Sequence, residues 1–166
     1  HFVEGEPRDT TVNNLLLTGK IGFQPGEKLR LNLDGQFNIL QQVGDYRVRG
    51  QLFVDLGVAG ELQLEASNQR NAPTLLQNRF YLSGREIWNN RDFDRTFETN
   101  LSATYVLPFV KIALTGEFHL INNYIYYDSE AIAQQLGSAV TILQFMARRN
   151  LRLGVFHLNN TLAYQT

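Results

Sequence analysis

The stretch 29-LRLNLDGQFNI-39 alternates between two kinds of side chain without a break. Its odd positions are apolar or glycine, and its even positions are polar, namely Arg30, Asn32, Asp34, Gln36 and Asn38. A helix would mix these two sets around its axis, whereas an extended strand places them on opposite faces. The stretch therefore predicts a β-strand with one apolar face and one polar face.

The same alternation recurs along most of the chain. It predicts about eight antiparallel strands in one all-β unit, at 15–23, 29–39, 46–66, 97–107, 110–120, 138–147 and 151–165, with a less regular one at 79–87. We interpret 46–66 as one long strand because its alternation keeps the same phase, and a tight turn near Gly57 or Gly60 is the alternative. Arg148-Arg149-Asn150 is expected to join the last two strands, with a bulge near Leu151–Val155.

Polar segments rich in turn formers separate these strands. The longest are 67–78, 88–95 and 128–137, and a short helical turn is an option for the last. If short turns share one end of the strands, 107–109 and 148–150 lie at one end, which we take as periplasmic, and 128–137 lies at the other. The segment 67–78 does not fit this scheme.

Composition narrows the class of protein. Of 166 residues, 43% are hydrophobic and 19% are charged, and this charged share is below the usual value of about 25%. The net charge of −1 gives no reason to expect nucleic acid as a partner, and the absence of cysteine excludes disulfides and thiolate metal sites. No apolar run reaches the roughly 18 residues of a membrane-spanning helix, and the first residues do not resemble a signal peptide.

Alternation alone also fits a soluble sandwich or a lipocalin-like barrel. Four features favour a transmembrane β-barrel with its apolar face towards lipid: strands long enough to cross a bilayer, nearly complete polar faces, repeated glycines on the apolar faces, and aromatic residues near strand ends. Because an open sheet edge is costly in lipid, such strands close into a barrel. We expect residues 1–166 to be a single barrel segment, an internal part of a longer barrel.

A barrel with its apolar face towards lipid and its polar face inside assigns two sets of residues. The predicted lumen lining is the polar set Arg30, Asp34, Arg47, Arg49, Asp55, Glu61, Glu65, Glu98, Lys111, Glu117 and His119. The predicted interfacial girdle is Tyr46, Trp88, Tyr105, Phe109, Tyr124, Tyr126 and Tyr127. Opposed charges in a lumen could bias permeation, and the alternative is that they only hydrate the interior and pair across strands.

Other chemistry finds little support in the sequence. His119 and His157 could share a face, but no carboxylate stands at a recognisable metal-ligand spacing, so we expect no metal and no cofactor. Ser83, Ser102 and Ser138 lack a G-x-S-x-G context, so no catalytic residue is assigned. Tyr124, Tyr126 and Tyr127 beside Asn122 and Asn123 could stack on a sugar, and the girdle is the preferred interpretation.

Two motifs carry a family resemblance. The stretches 80-FYLSGREIWNNRDFD-94 and 119-HLINNYIYYD-128, with Gln144 and 160-NTLAYQ-165, resemble the "putative porin" family of Bacteroidota outer membranes. The resemblance implies a non-enzymatic barrel in the outer membrane of a Gram-negative bacterium and a longer full chain. The expected function is passive diffusion of small solutes, with outer-membrane lipid as surroundings. The alternatives are a non-conducting barrel that binds protein partners in an envelope complex and a soluble lipocalin-like binding barrel.

Overall fold

The computed structural model describes residues 13–40 and 42–166, with Leu153 described through its backbone only. Eight antiparallel strands form one large sheet, in which each strand pairs with the next one along the chain that belongs to the sheet. These strands are β1 (Leu16–Phe23), β2 (Leu29–Asn38), β3 (Tyr46–Asp55), β4 (Glu61–Asn71), β7 (Thr96–Leu107), β8 (Ile112–Asn122), β11 (Val140–Leu153) and β12 (Phe156–Gln165).

Two small hairpins and one short helix lie in the long connections. The helix α1 (Leu75–Asn78) precedes the hairpin β5 (Arg79–Leu82) and β6 (Arg85–Asn89), and β9 (Ile125–Tyr127) pairs with β10 (Ala133–Gln135). Thr74 and Gln77 form a capping box at α1, which satisfies backbone N–H groups at its first turn. The fold is all-β and mostly antiparallel, as the alternation predicts.

Connections of different length lie at opposite ends of the sheet. The short turns 24–28, 56–60, 108–111 and 154–155 join strands at one end, which we call the short-turn end. The connections 39–45, 72–95 and 123–139 lie at the other, which we call the long-loop end. The predicted separation of the 107–109 turn from the 128–137 segment is confirmed.

The interpretation of 46–66 as one strand is wrong, and the alternative turn is present. A 3-10 turn at Gly57–Ala59 separates β3 from β4, and Asp55 pairs with Glu61 across it. The five residues between that pair leave the phase of alternation unchanged, so periodicity could not reveal the turn. This extra reversal also places 72–95 at the long-loop end, which removes the difficulty with 67–78.

The last hairpin also differs from the prediction. Arg148-Arg149-Asn150 is not a turn but lies inside β11, and the reversal occurs at Gly154 and Val155. Gly154 has a φ of +62°, which a two-residue hairpin turn requires and glycine supplies at little cost. A two-residue turn reverses the phase of alternation, and this explains the irregularity near 151–155 without a bulge.

The predicted loops are partly ordered strand. The prediction of a loop at 67–78 is wrong in its first part, because β4 continues to Asn71. The loop predicted at 88–95 likewise begins inside β6. The strand predicted at 79–87 is a separate hairpin outside the large sheet. No helical turn forms in 128–137, where β10 pairs with β9 instead.

The large sheet has no packed core of its own in the described part of the chain. The buried hydrophobic residues are Ile125 and Ala133, and both lie in the 123–139 connection. Leucines on the sheet, such as Leu33 at 42% exposure, remain open to their surroundings. Strands β1 and β12 each have a single hydrogen-bonded neighbour, so the sheet of the described residues is open and not closed into a barrel.

No helix among residues 13–40 and 42–166 is long and apolar enough to cross a membrane.

Candidate functional site: the two faces of the sheet

The cross-strand register collects nearly all predicted lining residues on one face, which we call the polar face. It runs without a change of side from β1 to β12, because every pair in the register joins residues of the same face. Its predicted members are Arg30, Asp34, Arg47, Arg49, Asp55, Glu61, Glu65, Glu98, Glu117 and His119. Lys111 is placed differently, in the 108–111 turn with a φ of +55°.

Three basic residues of the polar face escaped sequence analysis. Lys20 pairs with Asp34, Arg148 pairs with Thr161, and Arg152 pairs with His157. The polar run 148–150 resembles a turn in the sequence, and this resemblance conceals that Arg148 lies in a strand. The alternation of polar residues at 148, 150 and 152 was the available signal.

Charge on the polar face is segregated by strand. The neighbouring strands β4, β7 and β8 carry four glutamates there and no lysine or arginine, and we call them the acidic lane: Glu61, Glu65, Glu98 and Glu117. On one side, β1 to β3 carry four basic residues against two aspartates: Lys20, Arg30, Arg47 and Arg49. On the other side, β11 carries Arg148 and Arg152. The polar face is thus acidic in the middle and basic on both flanks.

Amide side chains, rather than cations, hold most of the acidic lane. Gln51 Nε2 donates to Glu65 Oε2 at 2.7 Å, and Gln69 Nε2 donates to Glu98 Oε2 at 2.6 Å. An amide donor fixes the position of a carboxylate without neutralising it. On the basic side the Arg49 guanidinium instead forms an ion pair with Asp34 at 2.8 Å.

His119 belongs to this polar network. Its Nδ1 lies 2.7 Å from Asn100 Oδ1, and its Nε2 lies 3.4 Å from Glu117 Oε2. His157 lies on the same face but far from His119. On β11, His119 pairs with Ile142 and His157 pairs with Arg152, ten residues further along. That interval is about 33 Å at strand spacing, so the two histidines are not brought together.

The described part of the chain brings no other catalytic or metal-binding constellation together. Residues 13–40 and 42–166 contain no group of three His, Asp or Glu side chains able to hold a metal ion. Ser102 lies within the polar face between Glu65 and Glu117, whereas Ser83 and Ser138 lie in connections at the long-loop end. His1 lies outside the described residues.

The opposite face of the sheet, the apolar face, has a regular relief. Small residues follow one another across the middle of four strands, with Gly50 paired to Ala66 and Ala103 paired to Gly116. Larger side chains such as Leu64 and Phe118 border them, which leaves a shallow open groove. None of the described residues on this face of the eight strands is acidic.

The apolar residues form a band that crosses the hydrogen-bonded rows diagonally. On β1 the apolar run is 15–23, with Phe23 at its short-turn end. On β12 the run is 156–164, with Tyr164 at its long-loop end. Phe23 and Tyr164 nevertheless lie in the same row, which passes through Leu31, Leu52, Leu64, Ala103, Gly116 and Phe145. The band therefore moves by eight residues, its whole length, over seven strand-to-strand steps.

This displacement gives the inclination of the strands relative to the band. A shift of about 1.1 residues, or about 3.9 Å, per strand spacing of about 4.8 Å means strands tilted by roughly 40° from the normal of the band. Strands of membrane barrels are tilted by about 35–45°. The apolar residues alone thus define a flat layer at the tilt that such barrels have.

The predicted girdle residues separate into two groups. Tyr46 and Tyr105 lie on the apolar face near opposite ends of the strands, and their hydroxyls donate to Asn68 Oδ1 at 2.7 Å and to the Ala59 carbonyl at 2.6 Å. Phe109 lies in the 108–111 turn and is 77% exposed. The remaining four lie in the connections at the long-loop end: Trp88, Tyr124, Tyr126 and Tyr127.

The connections 72–95 and 123–139 are bound to each other, and we call them together the loop cap. Gln135 Nε2 donates to the Asp94 carbonyl at 2.8 Å, and its Oε1 accepts from the Asp94 N–H at 2.9 Å. Asn90 Nδ2 donates to the Ala133 carbonyl at 3.0 Å. Trp88 stacks on Phe80 at 4.7 Å and meets the edge of Tyr127 at 6.2 Å. The cap is therefore an ordered unit.

Two carboxylates of the loop cap are stabilised in their charged form. A hydrogen bond from the Tyr81 hydroxyl lowers the pKa of Glu86, with a smaller contribution from Asn89. The backbone N–H of Ile132 lowers the pKa of Asp128, followed by the Gln134 side chain. Both carboxylates stay ionised at neutral pH, and each accepts hydrogen bonds from residues of its own connection.

These features define a class, an antiparallel β-sheet with one polar and one apolar face and ordered connections at one end. The family model described as "Putative porin" matches residues 3–166, nearly the whole chain, so the chain belongs to that family. Neither the curated proteins nor the solved structures contain a match to this chain. The resemblance predicted from the sequence is confirmed for the family, and a Bacteroidota origin stays a prediction.

Proposed function

We propose that the large sheet is part of the wall of an outer-membrane β-barrel through which small solutes diffuse passively. The observation that carries the proposal is the diagonal apolar band, whose tilt of roughly 40° matches that of membrane barrels. Lipid covers the apolar face, and the polar face lines a water-filled lumen. Membership of a porin family supports this role, a location in the outer membrane and the absence of catalysis.

The exposed leucines support lipid as the covering. A soluble lipocalin-like barrel encloses its apolar residues, but here Leu33 and Phe37 remain 42% and 46% exposed on the described sheet. Removing apolar surface from water is favourable by about 25 cal/mol per Å². Lipid against the apolar face removes the surface of that whole face from water. Free edges at β1 and β12 would be costly in lipid, so further strands of the same barrel pair with them.

The charge pattern of the polar face gives the lumen a transverse field. The acidic lane attracts cations, and the basic residues of β1 to β3 and β11 attract anions. Because the carboxylates are held by amides, their charge acts on passing solutes. Small ions and dipolar solutes are the solute class that this field suits.

Conductance tests the proposal directly. The full-length protein, inserted into planar bilayers, is expected to give discrete conductance steps, with a preference between K⁺ and Cl⁻ set by the acidic lane and the basic residues on its two sides. Replacing Glu65 and Glu117 by glutamine should lower the cation share of the current, read as a shift of reversal potential in a KCl gradient. The variant S102A lies between them in the same row and should leave the reversal potential unchanged.

A folded, inserted protein that passes no current would contradict passive diffusion. That result would favour a second candidate function, a non-conducting barrel that serves as a subunit of an envelope complex. The ordered loop cap supports this alternative, because it presents exposed residues such as Tyr127 at 51% and Leu82 at 59% where a partner could bind.

A further inference from the structure

One basic residue stands on the apolar face of the last hairpin, where every neighbour along its own strand is apolar. Arg149 points to the same side as Ala147 and Leu151, and it pairs with Ile112 of β8 and Asn160 of β12. In the described part of the chain its side chain makes no hydrogen bond and no ion pair. A charge on a lipid-facing surface is costly unless it meets an anion or water.

The diagonal band fixes how deep Arg149 lies. Ile112 is the last apolar residue of β8 at the short-turn end, and the band moves about one residue further at each strand. On β12 the band ends at Phe156, four residues beyond Asn160, the partner of Arg149. One strand earlier, Arg149 therefore lies about three residues inside the border of the band, or about 8 Å of depth for strands tilted by roughly 40°. An extended arginine side chain covers most of that distance, so its guanidinium reaches the inner edge of the headgroup layer.

The same corner of the sheet has the composition of a membrane interface. The N–H of Asn150 donates to the carbonyl of Lys111 at 3.3 Å, which places the 108–111 turn beside β11. That turn adds the cation Lys111 and the exposed ring of Phe109. Asn160 adds an amide next to Arg149 in the register. Arginine, amide and lysine donors together suit a phosphate group.

We propose that Arg149, with Asn160 and Lys111, binds the phosphate of a phospholipid at the short-turn border of the membrane. The inference rests on the proposed function, since it needs lipid against the apolar face. A second copy of this chain is a poorer occupant, because the described strands offer no carboxylate on that face. Lipid phosphate is the anion that lies at this depth all around a membrane protein.

Native mass spectrometry of the detergent-purified full-length protein tests the site. Phosphatidylglycerol is the probe, and diacylglycerol with the same acyl chains is the probe without phosphate. R149Q should bind phosphatidylglycerol about tenfold more weakly, as expected for the loss of a charge-assisted hydrogen bond, and R149K should retain most of the binding. R152Q, on the polar face of the same strand, should bind as the wild type does.

Three results would overturn the inference. They are equal binding of phosphatidylglycerol by R149Q and the wild type, equal binding of diacylglycerol and phosphatidylglycerol by the wild type, and loss of a protein–protein complex in R149Q without a change in lipid binding. A spin label at Phe145 separates this outcome from failure of the proposed function. If that label contacts lipid while R149Q binds normally, only the phosphate site is wrong.

Discussion

At the residue scale, Gly60 is the position where the chain tolerates no other side chain. Its φ is +119° and its ψ is −158°, a region that essentially only glycine occupies, and a Cβ there would lie 2.1 Å from the Val106 carbonyl oxygen. Gly57 in the same turn has a φ of +65°, but its surroundings are open. A side chain at Gly60 would therefore meet both backbone strain and a steric clash, whereas a side chain at Gly57 would meet backbone strain alone.

This difference predicts unequal costs for two alanine variants. G60A should lower the free energy of unfolding by about 3 kcal/mol or more, and G57A by about 1 kcal/mol. Urea unfolding in lipid vesicles, followed by the fluorescence of the single tryptophan, Trp88, measures both. Equal costs for the two variants would mean that the turn does not approach Val106 as described.

At the element scale, alternation determines strands well and reversals poorly. The β2 strand of 29–38 follows directly from its period of two. The turn at Leu56–Gly60 does not, because a five-residue connection restores the phase that an unbroken strand would have. Conversely, the polar run at Arg148 imitates a turn, although its residues simply alternate between faces. The segregated charges of the polar face also needed the register, since periodicity assigns residues to faces but not to rows.

The loop cap gives a prediction at the same scale. Q135A removes the side chain that joins Asp94 to the 123–139 connection, so the amides around Asp94 should exchange hydrogen about tenfold faster. Q134A is the matched control, because Gln134 donates only to Asp128 within its own connection. Hydrogen exchange read by mass spectrometry would contradict the account if both variants accelerated exchange near Asp94 equally.

At the scale of the whole molecule, the absence of a core in the described sheet is the central physical fact. Folded domains bury apolar side chains against each other, whereas here the buried residues Ile125 and Ala133 lie in the loop cap. A sheet with two exposed faces needs different surroundings on each. The diagonal band, the complete polar face and the family membership all fit lipid on one side and water on the other.

The most direct test is site-directed spin labelling along β3 in lipid vesicles, which is simpler because residues 1–166 contain no cysteine. Labels at Val48, Leu52 and Val54 should collide with oxygen dissolved in lipid, and labels at Arg47, Gln51 and Asp55 should collide with a water-soluble nickel chelate. With lipid on one face and water on the other, accessibility should alternate with a period of two along the strand. Equal accessibility at both sets, or chelate reaching the leucine side, would contradict it.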